Sequence, residues 1–160
     1  MLVDSIGKYK DAIGINNLND MYFNNLGLAQ YYLGIHYNDE RTEQEIYNSI
    51  ESLNKALVIK ENKKESILNL GRCYFHLFKL FQREKDETLL LENFETASRL
   101  GESVNLFFLA YYSFKKNKEK SLEYLQKHMG DPDFSMQVLQ EDEEVNFVLN
   151  LEEAKEMIKL

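Results

Sequence analysis

Residues 67–81 read Ile67-Leu68-Asn69-Leu70-Gly71-Arg72-Cys73-Tyr74-Phe75-His76-Leu77-Phe78-Lys79-Leu80-Phe81. Ile67, Leu70, Tyr74, Leu77 and Phe81 recur at steps of three and four. That is the period of one face of an α-helix and not the alternation of a strand. The same signature runs outward in both directions. Ile46, Ile50, Leu53 and Leu57 form a stripe before it, and Leu90, Phe94 and Ala97, continued by Leu100, form one after it. No segment sustains a period of two, so the chain is expected to be all-α.

The central stretch also has an echo. Asn69-Leu70-Gly71 repeats Asn25-Leu26-Gly27, 44 positions earlier. An aromatic residue or Leu stands three positions before Ala in Tyr9 and Ala12, Leu53 and Ala56, and Phe94 and Ala97, the alanines being 44 and then 41 apart. Two interleaved echoes sharing one step, with two helices per step, signify a helical solenoid. A glycine at one crossing and an alanine at the next let helix backbones approach closely, and the neighbouring Leu, Phe and Tyr fill the groove beside them.

Boundary signals divide the chain further. Thr42 and Glu45 have capping-box spacing ahead of the Ile46 stripe. Gly101 and Gly130 follow apolar runs and suit C-terminal caps, and Pro132 blocks continuation of the helix before it. The expected helices are 3–14, 20–36, 43–60, 64–83, 87–100, 103–116, 118–129, 133–139 and 143–158.

Composition narrows the functional classes. The 160 residues include one proline, Pro132, and only seven glycines, which favours long helices with short connections. Ten Tyr and ten Phe with no Trp suit a thin, layered protein, because tyrosine can lie half-buried with its hydroxyl in water. Lys plus Arg is 19 against 27 Asp plus Glu, a formal charge of −8, which argues against a nucleic-acid partner. The densest basic group, Lys115, Lys116, Lys118 and Lys120, reads as a solvated helix end and turn. One cysteine, Cys73, forms no intrachain disulfide and allows a reducing compartment. The N-terminus lacks the pattern of a signal peptide, and no apolar run reaches the roughly 20 residues of a membrane span. A cytoplasmic location is therefore expected.

The helix-pair residues resemble tetratricopeptide repeats. The resemblance rests on Phe23, Leu26, Gly27, Ser49, Leu53 and Ala56 in repeat one (20–61). In repeat two (64–101) it rests on Ile67, Leu70, Gly71, Tyr74, Leu90, Phe94 and Ala97. Repeat three (102–130) is more degenerate, with Phe107, Phe108, Ala110, Tyr111, Ser121, Tyr124 and Leu125, and 1–18 resembles helix B of a preceding, incomplete repeat. Segment 131–160 resembles the C-terminal cap of bacterial members. The resemblance implies one domain over 1–160, a right-handed superhelical α-solenoid of antiparallel helix pairs. Family repeats are about 34 residues, whereas these steps are 41 and 44. Roughly one extra turn in each helix absorbs part of the excess, and residues 36–41 are expected to protrude as a longer loop. The family's proline after helix B is absent, so turns between repeats rest on Asn, Lys and Gly.

The resemblance further implies a non-catalytic scaffold that holds a peptide or partner helix on the A-helix face. Asn25 and Asn69 take matching inward positions, where an asparagine amide can both donate to and accept from a peptide backbone. Leu28, Tyr32, Arg72, His76, Asn105 and Tyr112 complete the expected site, with Asn24, Tyr31, Phe75 and Leu109 facing inward or nearly so. Arg72 stands almost alone as a cation there, which disfavours ligands with acidic chain ends and favours an apolar helix or extended segment. The rival readings are a dedicated bacterial chaperone for a secreted or assembly client, and a Cys/His enzyme or metal protein built on Cys73 and His76. The second is poorly supplied: His36 and His128 lie in other repeats, and two ligands do not make a zinc site. No Gly-rich phosphate loop occurs. Glu141-Asp142-Glu143-Glu144 reads as a solvated helix start. No cofactor, metal or catalytic residue is expected; self-association through the apolar N-terminal end remains an open expectation.

Overall fold

The computed structural model describes residues 1–159. Among them there is no strand, and helix dominates. The helices are α1 (Leu2–Ile15), α2 (Asp20–Tyr37), α3 (Arg41–Ile59), α4 (Lys64–Phe81), α5 (Glu84–Arg99), α6 (Asn105–Phe114), α7 (Lys118–Met129), α8 (Met136–Glu141), α9 (Asn146–Leu149) and α10 (Glu152–Ile158), with a 3-10 turn at Glu143–Val145. They form two compact units, Met1–Glu102 and a second from Ser103 onward.

In the first unit the 44-residue step is visible in the backbone. α2 and α4 are each 18 residues long and start 44 apart. Asn38 and Gln82 end them in the left-handed conformation, with φ 49° and 50°. Asn16 and Lys60 end α1 and α3 in nearly the same extended conformation, φ −140° and −138°, each donating its N–H to the carbonyl of Ala12 or Ala56. Local geometry thus repeats at four successive helix ends. The α2–α3 and α4–α5 pairs are antiparallel: Gly34 meets Thr42 and Ile46 while Gly27 meets Ser49 and Leu53, and Gly71 meets Phe94 while Lys64 pairs with Glu102. α2 and α4 lie side by side and parallel, since Asn24 reaches Ser66 and Asn69 while Tyr32 reaches Arg72.

The close approaches expected at the small residues are present. A β-carbon on Gly27 would stand 2.7 Å from Leu53 Cγ and 3.1 Å from the Ser49 carbonyl oxygen, and Ala56 and Ala97 are fully buried. The core of this unit joins Ile46, Ile50 and Leu53 of α3 to Leu70, Cys73 and Leu77 of α4. Hydrophobic burial of this kind is the main driving force for folding.

Several boundary expectations change. The capping box is made three residues earlier than Thr42 and Glu45. Asp39 Oδ1 accepts from the Arg41 N–H at 2.9 Å, and the Asp39 N–H donates to Thr42 Oγ1 at 3.1 Å. The Thr42 hydroxyl in turn donates to the Gly34 carbonyl at 3.0 Å, tying the end of α2 to the start of α3. Residues 36–41 therefore do not protrude. Only 38–40 connect the helices, and much of the extra length lies in α2 and α3 themselves. Gly101 does cap α5: it has φ +90°, its N–H donates to Ser98, and the Glu102 N–H donates to Ala97, the Schellman arrangement. Gly130 stays right-handed at φ −90°.

In the second unit α6 and α7 are antiparallel, with Asn105 bonded to Asp131 and Phe108 stacked on Tyr124. The helix expected over 143–158 is broken into three pieces. Asn150 Nδ2 folds back on the Asn146 carbonyl at 2.8 Å, and Leu151 is extended at ψ 138° before α10 begins. The break lets Val145, Val148 and Ala154 all be buried. The acidic stretch is a helical start as expected, Asp142 Oδ1 accepting from the Glu144 N–H at 2.9 Å.

Candidate binding face

The parallel helices α2 and α4 share a strip in which polar groups lie at the base and aromatic groups stand outward. At the base, Asn24 is buried and its Oδ1 accepts from Ser66 Oγ at 2.9 Å and Asn69 Nδ2 at 3.3 Å. Arg72 Nη1 donates to Asn69 Oδ1 at 3.2 Å, and Arg72 Nη2 donates to the Tyr32 hydroxyl at 3.0 Å. Side-chain hydrogen bonds across two helices satisfy groups that would otherwise be costly to bury.

This chain of bonds fixes Arg72. Its guanidinium lies 4.8 Å from the Tyr31 ring centroid and 5.4 Å from that of Tyr32, within cation–π range. Tyr31 and Tyr32 meet edge-on at 5.5 Å, and Tyr31 meets His76 edge-on at 6.3 Å. Burial pushes the Tyr31 phenol up to about 12, so it is a neutral hydroxyl. Burial, assisted by the positive charge of Lys79, pushes the His76 imidazole down to about 4, so it too is neutral. The His76 Nδ1 atom is buried with no hydrogen-bond partner among the described residues. Tyr32 remains 44 % exposed. The strip can therefore offer a tyrosine edge and a fixed cation, held by one network.

The residues expected from sequence divide into four groups. Tyr32, Arg72 and His76 are brought together on this strip. Asn25 and Leu28 are half-buried on α2; Asn25 Oδ1 accepts from Asn24 Nδ2 at 3.3 Å, and its own Nδ2 donates to no group among the described residues. Asn69 departs from expectation. It is buried, and its amide is engaged on both sides by Asn24 and Arg72, so it braces the helix pair and is not an open grip on a peptide. Asn105 and Tyr112 belong to the second unit. Asn105 Nδ2 donates to Asp131 Oδ1 at 2.7 Å, and Tyr112 stacks on Tyr124 at 5.4 Å. Asn24 and Ser66 were not legible as network members; the signal available was only that small polar residues occur on otherwise apolar helix faces.

Cys73 lies behind this strip, fully buried, with Sγ 3.3 Å from Ser49 Oγ. The Ser49 hydroxyl donates its single proton to the Gly27 carbonyl at 2.6 Å, so the thiol is the donor in the sulfur contact. Burial pushes the thiol up to about 12, far from the thiolate that nucleophilic or metal chemistry requires. Among the described residues no three His, Cys, Asp or Glu side chains gather where a metal could be held. None of the described helices is long and apolar enough to cross a membrane.

The chain matches no protein-family model, no curated protein and no solved structure.

Proposed function

We propose that this chain is a non-catalytic interaction module whose first unit is built of tetratricopeptide-like helix pairs. It binds a peptide or partner helix along the strip formed by α2 and α4. The observation that carries this reading is the arrangement of Tyr32 and Arg72: an exposed tyrosine hydrogen-bonded to a guanidinium that two tyrosine rings and Asn69 hold in place. Tyrosine and arginine dominate binding hot spots, and groups already fixed before binding lose little freedom on binding. Support for the repeat class comes from the helix ends that recur at 44 residues and from the glycine crossings at Gly27 and Gly71. The buried, neutral Cys73 thiol favours this reading over Cys/His chemistry.

The test is capture of a stoichiometric polypeptide from cells of the source organism by the tagged chain and by Tyr32→Ala. Tyr32 is the outermost member of the network, so its truncation leaves the core intact. A partner retained by the wild type and lost by Tyr32→Ala supports the strip as the binding surface. A partner held equally by both places recognition elsewhere.

A further inference from the structure

α1 repeats the face of α3 without the same cover. Ser5, Ile6 and Ala12 stand 44 positions before Ser49, Ile50 and Ala56 and are the same residue types. The two helices also end alike, at Asn16 and Lys60. Helical spacing puts Ser5, Tyr9 and Ala12 on one face, as it does Ser49, Leu53 and Ala56. In α3 these three are fully buried. In α1 they are half-buried, and no residue of the helix is buried.

The difference lies in what covers each helix. On one side of α3, α4 packs Leu70, Cys73 and Leu77 against Ile50 and Leu53. On the other side α2 runs antiparallel, with Gly27 against Leu53 and the Gly27 carbonyl accepting from the Ser49 hydroxyl at 2.6 Å. α5 has the same neighbour, since Gly71 of α4 lies against Phe94, which like Tyr9 stands three positions before an alanine. α2 packs on α1 as α4 packs on α3. Among the described residues no helix takes the place on α1 that α2 takes on α3. The Ser5 hydroxyl accordingly turns back to the Met1 carbonyl of its own helix at 3.0 Å. Covering a half-bare apolar face is favourable in proportion to the area removed from water.

We infer that this face of α1 is a docking site for a helix supplied by a partner, of the kind that α2 and α4 represent. The docked helix runs antiparallel to α1 and carries glycine where it crosses Tyr9, so that its backbone comes close enough for a carbonyl to accept from Ser5. The chain itself points to this occupant: a helix with an aromatic residue or Leu three positions before Ala occurs twice more, and a glycine-bearing helix covers it both times. The docked helix continues the alternation of α2–α3 and α4–α5 by one step. The site rests on the helix-pair repetition of the proposed reading but uses neither Tyr32, Arg72 nor His76, so it stands or falls independently of the α2–α4 strip.

The experiment is an NMR titration of the isotope-labelled full chain with a synthetic peptide of residues 63–82, the α4 segment with Cys73→Ser, and with the same peptide carrying Gly71→Leu. The α4 segment is chosen because it already covers an aromatic residue, Phe94, at the position of Tyr9. The glycine peptide is expected to shift the amide signals of Ser5, Tyr9 and Ala12 saturably. The Gly71→Leu peptide is expected to bind at least about tenfold more weakly, because the bulkier residue keeps the backbones apart. Both peptides are read on the unaltered chain, so no change in its fold enters the comparison. Ser5→Arg in the chain, its fold checked by unchanged signals of α3 to α5, is expected to weaken the glycine peptide to a similar degree. Absence of shifts at α1, shifts confined to other helices, or equal binding of the two peptides would overturn the assignment. So would concentration-dependent dimerisation of the chain alone that moves the Ser5 and Tyr9 signals, which would give the face to a second copy.

Discussion

Gly71 of α4 lies against the ring of Phe94 on α5 so closely that a β-carbon on Gly71 would stand 2.5 Å from both Cδ1 and Cε1 of that ring. Phe94 is fully buried and cannot swing away. Gly71→Ala is therefore expected to destabilise by about 1–3 kcal/mol through overpacking, even though alanine improves helix propensity by about 1 kcal/mol. Gly71→Leu should cost more. Gly7 in α1 is the control: nothing lies within 4 Å of its added β-carbon, so Gly7→Ala should stabilise by about 0.5–1 kcal/mol. Chemical denaturation of the two alanine variants reads the opposite signs directly. Equal effects would mean that the crossing at Gly71 is looser than the structure has it.

The end of α2 and the start of α3 hang on one hydroxyl. Thr42 Oγ1 donates to the Gly34 carbonyl and accepts from the Asp39 N–H. Thr42→Val keeps the shape and removes both bonds. A loss of about 1–2 kcal/mol is expected, together with faster amide hydrogen exchange at Asp39. Unchanged exchange there would show that the cap is held by something else.

Two groups should shape stability against pH in separate windows. The folded His76 value is lowered to about 4 from 6.5. The unfolded chain then binds more protons between those values, so stability falls as pH drops from about 6.5 to 4. Asp131 acts lower. Burial raises its carboxyl, but hydrogen bonds from His128, Asn105 and Ser103 outweigh this and hold it below its ordinary 3.8. Its contribution is present above 3.8 and is lost as pH falls through the folded value. His76→Leu should flatten the upper window and leave the lower one, whereas Asp131→Asn should make the lower one shallower, other lowered carboxylates such as Glu123 sharing it, and leave the upper one. Denaturation curves collected across pH for both variants check the assignment.

Cys73 should behave as a reporter of opening and not as a reactive thiol. It is fully buried and its thiol is raised to about 12. A thiol-specific chromogenic reagent is expected to label the native chain only through unfolding, at a rate that rises with denaturant as stability falls. Rapid labelling in native buffer would contradict the burial. Cys73→Ser should be destabilising, because it places a more polar group in the same apolar core.

The architecture of the first unit was largely legible in residue order. The stripes at Ile46 and Ile67 mark faces of α3 and α4, the Gly27 and Gly71 echoes mark the crossings, and the 44-residue step appears again in backbone dihedrals at Asn16, Lys60, Asn38 and Gln82. These features are local or periodic, and helical period alone decides which residues share a face. The C-terminal segment was less legible because its break depends on Asn150 capping α9 so that Val145, Val148 and Ala154 can all be buried.

The roles of the polar residues were decided only in three dimensions. Asn25 and Asn69 are equivalent in sequence, yet Asn69 is buried between Asn24 and Arg72 while Asn25 keeps an amide nitrogen without a partner among the described residues. Periodicity says which side of a helix an asparagine occupies; it does not say whether a neighbouring helix will cover that side. The position of α4 against α2 supplies that cover for Asn69, and it also places Arg72 over Tyr31 and Tyr32. Residue order therefore determined the helices and their spacing, and tertiary packing determined which of their polar groups brace the fold and which remain available to a partner.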